Sequence, residues 1–348
     1  MTVRRGLWTA VKALAVPLVL VLLYLVLRRI GFGGIVQAMA QVSRLTVGAA
    51  LALYLAVFVL WVLRWQQLMK RGTRRSVAAL FPIYMAGVFG NVITPGARVG
   101  GEPIRAYYMS RIFGGEKSAH LGTVLADKLA NGVVFLVLLL ASVVFAVLFV
   151  PLSLGSKIVL EGSVLFIVLA VLSGVLLRKR IGIRSRLLGR LLPLIYGSRL
   201  LKFIRRRFPT YQLFEDYAVR KLDNLTGPIG RAAGSPKAIA KIMTISGASW
   251  ALIYLAHYVL FVGLGADISF MKVMVIVTVS TLCGDLSVSP GGAGFMEAAM
   301  IALCAAFGVD HRTAAAVTIM SRGIFYLFGL GLGGLCLAGL ACLYGRRK

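Results

Sequence analysis

Apolar residues run in stretches of roughly 20 along most of this chain, and its polar residues fall largely between those stretches. About 20 apolar residues in a helix cross a hydrocarbon core of about 30 Å. Six stretches read as full spans: 11–28, 45–66, 119–150, 158–177, 239–263 and 313–343. Two others break the pattern. Segment 78–94 contains Pro82, Gly87, Gly90 and Asn91 and stops at Pro95, while 270–289 turns polar at Gly284-Asp285 and stops at Pro290. Each is followed by a short helix-like piece, 103–113 and 295–307. Fourteen helical residues rise only about 21 Å, too little to cross. The pattern therefore predicts two re-entrant, broken-helix hairpins, 78–113 and 270–308, each entering and leaving on one side. Irregular backbone at that depth needs protein or a water-filled cavity around it.

The predicted fold class is all-α integral membrane, with about six full transmembrane helices plus the two hairpins. Three crossings separate equivalent points, so the halves 1–157 and 158–348 are expected to be inverted-topology repeats. Short repeats support this. Thr94-Pro95-Gly96 is followed after five residues by Glu102, and Ser289-Pro290-Gly291 after five residues by Glu297. Phe113-Gly114 and Phe307-Gly308 follow, then a long span with Asp127-Lys128 in one half and Ser321-Arg322 in the other. Broken helices in both halves of an inverted repeat mark the binding sites of alternating-access transporters.

Composition agrees. Of 348 residues, 59% are hydrophobic and 14% charged, with mean hydropathy +0.89; a soluble domain carries about 25% charged residues. The 39 Lys+Arg outnumber the 11 Asp+Glu, a net charge of +28. Such a balance suits nucleic acid, but the basic residues cluster between spans, as the positive-inside rule demands. No nucleic-acid partner is expected. Arg4 and Arg5, Lys70 to Arg75, the loop 178–237 and the terminal Arg346, Arg347 and Lys348 are all expected on the cytoplasmic side. This gives a multi-pass protein of the cytoplasmic (inner) membrane with both termini inside. Arg4-Arg5 before an apolar run resembles a signal peptide, yet the run ends in Arg28-Arg29 without a small-residue cleavage site, and reads as a retained span. Loop 178–237 mixes Arg205, Arg206 and Arg207 with Phe203, Phe208, Tyr211 and Phe214, which suits a helix on an anionic lipid surface or a solvated topology signal. The four cysteines and three histidines show no metal or disulfide spacing, and no P-loop occurs, so neither metal nor cofactor is expected.

The stretches Asn91-Val92-Ile93-Thr94-Pro95-Gly96, Gly100-Gly101-Glu102-Pro103, Leu125-Ala126-Asp127-Lys128 and Asp285-Leu286-Ser287-Val288-Ser289-Pro290-Gly291 resemble the membrane region of lysylphosphatidylglycerol synthases. In two-domain members of that family a soluble domain adds lysine to phosphatidylglycerol and the membrane region moves the product across the bilayer. This chain reaches Lys348 just past its last span, so the resemblance implies lipid translocation and not aminoacylation.

Candidate residues follow. Glu102 and Glu297 sit directly after the breaks; a carboxylate at membrane depth is a functional hypothesis by default, although each could also cap the following helix. Arg98, Arg105, Lys128 and Arg322 are the candidate cations for a phosphate-bearing head group. Arg105 reads equally as an interfacial charge. Asp127 and Asp285 either pair with Lys128, Arg322 or Arg64, or touch substrate. Asn91, Thr94 and Ser289 satisfy freed backbone groups or meet ligand. Helix N-termini after Pro95 and Pro290 offer further N–H groups.

The sequence thus predicts a non-enzymatic, flippase-like lipid transporter whose head groups pass between the hairpins. The alternatives are an integral-membrane transferase acting on a lipid carrier, or an accessory subunit of a lipid-synthesis enzyme.

Overall fold

The computed structural model describes residues 42–70, 75–94, 99–149, 208–287 and 289–344, with a few isolated positions elsewhere. The expected spans 11–28 and 158–177, most of loop 178–207 and Arg98 lie outside the described residues. Every regular element within them is a helix. α1 covers Arg44–Gln67, α2 Val77–Ile93, α3 Gly101–Phe113 and α4 Lys117–Phe149. After the undescribed stretch come α5 Tyr211–Ala233, α6 Pro236–Gly263, α7 Phe270–Leu286, α8 Phe295–Ala306 and α9 His311–Tyr326. A π-helical turn, Leu327–Leu332, joins α9 to α10, Gly333–Tyr344.

Side-chain caps set the helix starts. Ser43, Ser76, Ser235 and Ser269 each accept a bond from the backbone N–H three residues on, and Asp310 accepts from Arg312 and Thr313. Such caps contribute about 1 kcal/mol each. Four helices are long and apolar enough to span a membrane: Arg44–Gln67, Lys117–Phe149, Pro236–Gly263 and His311–Tyr344. They match four of the six expected spans to within three residues. α4 shows why they suit lipid. Leu129, Val133, Val137, Leu140, Val144 and Leu148 form an exposed stripe at helical spacing, and a stripe of that kind is stable only against hydrocarbon or another apolar surface. The opposite face buries Gly122, Thr123, Ala126, Asp127, Phe135 and Leu139.

The interior has two main apolar clusters. Around Tyr54, Leu139, Trp250, Leu260, Ile276, Met300 and Val317, helices α1, α4, α6, α7, α8 and α9 meet. Around Phe58, Trp65, Leu80, Ile83, Met85 and Tyr108, α1, α2 and α3 meet the last helix. α2 packs against α3, and α7 against α8. At both contacts helices come close because glycine faces glycine: a Cβ on Gly101 would collide with the Gly87 carbonyl, and one on Gly292 would lie 2.9 Å from Gly284. The turn before α8 runs through Gly292 and Gly294 at φ 74 and 85, a region that side chains disfavour.

α5 lies in the segment 178–237 and docks on the start of α4. Gly122 lets it approach so closely that a Cβ there would strike the Asn224 carbonyl. Glu116 accepts from Lys221 at 2.6 Å and Asn224 at 3.0 Å. α5 carries Arg220, Lys221 and Arg231 against Glu215, Asp216 and Asp223, so this helix is charge-balanced; the Arg205, Arg206 and Arg207 run lies outside the described residues.

Candidate functional site

The polar residues of the spans converge on one cavity of about 400 Å³, walled by α1, α2, α3, α4, α6, α7, α8 and α9. Of the sequence candidates, Asn91, Glu102, Arg105, Asp127, Lys128, Asp285 and Arg322 line it. Glu297 stands immediately behind Arg322. Thr94 and Ser289 do not line the cavity: Thr94 Oγ1 donates to the Gly90 carbonyl at 2.7 Å, and Ser289 pairs with Ser287 at 2.9 Å. Arg98 lies outside the described residues.

Two ion-pair systems organise the walls. In the first, Asp127 accepts from Arg64 Nε at 2.7 Å and from Arg105 Nη2 at 3.0 Å. Arg64 also donates to Asn131 at 2.7 Å. The Arg105 guanidinium is held between the rings of Trp65 and Tyr84, 4.1 Å from each centroid. Arg105 is therefore not an interfacial charge; it is buried and shares a carboxylate with α1. Beside this triad Lys128 donates to Glu102 Oε1 at 2.9 Å.

In the second system Arg322 Nε donates to Glu297 Oε1 at 2.6 Å, and its Nη2 donates to the Gly291 carbonyl at 2.9 Å and to Tyr326. Glu297 Oε2 accepts from Gly294 N–H at 2.6 Å. Here the capping role and the charge pair coexist in one side chain. Lys128 and Arg322 each bond a glutamate, Glu102 and Glu297, 26 and 25 residues upstream.

The helix N-termini differ from expectation. α3 begins six residues past Pro95 and its Gly101 N–H goes to Asn91 Oδ1 at 2.7 Å; the Gly294 N–H goes to Glu297. These donors are satisfied by side chains and are not offered to an anion. The two breaks also touch: a Cβ on Gly291 would lie 3.4 Å from the Val92 carbonyl.

Sequence reasoning named Arg64 only as a pairing partner and passed over Asn131, Trp61, Trp250 and His257, all of which line the cavity. Arg64 ends a span and reads as interfacial; the signal against that was an uncompensated Asp127 in another span. His257 Nδ1 donates to the Ile253 carbonyl at 2.8 Å, since a carbonyl only accepts. A lone mid-span histidine was the available signal.

Comparison with known proteins agrees with this architecture. The chain is 26% identical over 330 residues to a UPF0104 membrane protein of Pyrococcus horikoshii, covering 92% of this chain and 94% of that one. It is 26% identical over 303 residues to a UPF0104 membrane protein of Methanothermobacter thermautotrophicus, covering 85% and 86%. A third, from Methanocaldococcus jannaschii, is 24% identical over 308 residues, 87% of each chain. The family model described as the lysylphosphatidylglycerol synthase TM region matches residues 11–333, and a match over nearly the whole helical chain means that this protein belongs to that membrane family.

Proposed function

We propose that this protein is a flippase-like transporter of the cytoplasmic membrane, with both termini cytoplasmic, and that it moves lipid head groups through the cavity while the tails remain in hydrocarbon. The observation that carries the reading is the cavity itself. Four cations and their carboxylates sit among spans where a charge is expensive, next to two helix breaks that meet. α2 and α7 have 17 residues each, about 26 Å of rise, which falls short of a core of about 30 Å. Re-entrant hairpins from opposite faces, one in each of the halves 1–157 and 158–348, account for that length and for tips that touch. Their rocking would open the cavity to each side in turn.

Lys128 is the cation best placed for a lipid phosphate. Its side chain is 43% exposed, against 8% or less for Arg64, Arg105 and Arg322. Its ammonium has three donors, so it can meet a phosphate while still bonded to the buried Glu102.

Purified protein in vesicles, with a fluorescent lipid followed by quenching from outside, tests the proposal. Wild-type protein accelerates lipid crossing, and Glu102→Gln abolishes the acceleration at an unchanged thermal unfolding midpoint. Full transport by Glu102→Gln would remove the carboxylate from the mechanism. No acceleration by wild type would favour the transferase or accessory-subunit readings.

A further inference from the structure

The cavity's charges are already matched. Arg64 and Arg105 share Asp127, Arg322 holds Glu297, and Lys128 holds Glu102. With Asp285 also in the wall, four cations stand against four carboxylates. With the two signs balanced, an added ammonium or phosphate would bring a charge that this wall does not compensate, and a buried uncompensated charge is costly.

What the wall does lack is hydrogen-bond partners. Glu102 Oε2, Arg105 Nε, Trp61 Nε1 and Trp250 Nε1 are buried and have none among the described residues, and all four residues line the cavity. Across these four atoms the demand is mixed: one acceptor and three donors. An ammonium only donates and a phosphate diester only accepts, whereas each hydroxyl does both. The apolar part of the wall includes Trp61, Phe135 and Trp250, with the Phe135 and Trp250 rings 5.3 Å apart. Flat aromatic faces beside convergent polar groups suit the C–H faces and hydroxyls of a sugar ring. The aromatic cage that a quaternary ammonium would want is occupied, since Arg105 fills the gap between Trp65 and Tyr84. At about 400 Å³ the space lies within the range of small-molecule sites, about 300–1,000 Å³.

We propose that the inner cavity takes an uncharged, polyhydroxylated head group, a glycosyl moiety, with any lipid phosphate left at Lys128. The inference rests on the transport reading for its lipid, but the site's chemistry can be tested apart from transport. Five probes are titrated calorimetrically into protein in phosphatidylcholine nanodiscs: hexyl β-glucoside, hexyl phosphate, hexylammonium, hexylphosphocholine and free glucose. The glucoside binds about tenfold tighter or better than each charged probe, and Trp250→Phe, which keeps the ring and removes the donor, weakens it about tenfold while leaving hexylammonium unchanged. Glu102→Gln weakens it similarly and serves if Trp250→Phe fails to fold. A charged probe binding as tightly as the glucoside, or no binding by the glucoside, overturns the proposal. Glucose binding as well as the glucoside keeps the polyhydroxyl site and points to a free sugar as its occupant. Glucoside binding without movement of a fluorescent glucosyl lipid in vesicles sinks transport and leaves the site standing. Movement of phosphatidylethanolamine but not of the glucosyl lipid does the reverse.

Discussion

Glu102 and Glu297 occupy corresponding places after two helix breaks, yet their surroundings differ. Glu297 is saturated: one oxygen holds Arg322, the other the Gly294 N–H, and the arginine is 7% exposed. Glu102 is half satisfied: one oxygen holds a lysine that is 43% exposed, and the other has no partner among the described residues. Two copies of one motif thus divide into an anchored site and a loaded one. A buried guanidinium with several fixed bonds fastens the helix break in place. A half-exposed ammonium on a flexible stem can change partners.

The largest expected effect lies on the anchored side. Glu297→Gln leaves Arg322 buried without its carboxylate and weakens the cap of α8, so stability falls by about 3–5 kcal/mol, read as a drop in the thermal unfolding midpoint in detergent. Glu102→Gln, in contrast, costs within about 1 kcal/mol, because Lys128 turns to solvent, and its effect appears in transport alone. Equal destabilisation by the two substitutions would erase the distinction.

The proposed inverted arrangement requires that its two re-entrant hairpins open to opposite sides. In a cysteine-free background, Lys117→Cys should react with an impermeant reagent from the cytoplasm and Asp267→Cys from outside. Both positions are exposed. Labelling of both from one side would end the inverted arrangement.

The smallest expected effect concerns α5, which braces the first half. Bonds from Lys221 and Ser118 hold the Glu116 carboxyl below its ordinary value of 4.5. With the folded pKa lowered, the brace is fully present above that value and is lost as pH falls through the depressed one. Hydrogen-exchange protection across 211–233, taken relative to the intrinsic rate at each pH, should fall in that acid window and stay flat between pH 6 and 8. Protection that is indifferent to pH throughout would show that Gly122 packing alone holds α5.

Much of this was legible in the sequence because its causes are local. Span length, helix breaks at Pro95 and Pro290, and the spacing of Glu102 and Glu297 are properties of short stretches. The pairing was not, because it depends on which spans become neighbours. Asp127 and Lys128 are adjacent in sequence, yet one points to Arg64 and Arg105 as a shared anchor and the other to Glu102. Arg105 read equally as a site cation and an interfacial charge because nothing nearby in sequence announces Trp65 and Tyr84. The unmet donors of Trp61 and Trp250 were invisible for the same reason: an apolar span accommodates an indole whether or not its N–H finds a partner.

The π-helical turn at Leu327–Leu332 has a mechanical consequence. One residue of extra winding shifts everything beyond it by about 100° relative to a regular α-helix. Before the turn, Arg322 grips Glu297 of α8; after it, Gly333 lies so close to α2 that a Cβ would sit 2.7 Å from the Met85 carbonyl. The last helix is therefore a shaft with a grip at each end, set at different angles. Any rotation of one grip against the other would fall on the wide turn between them.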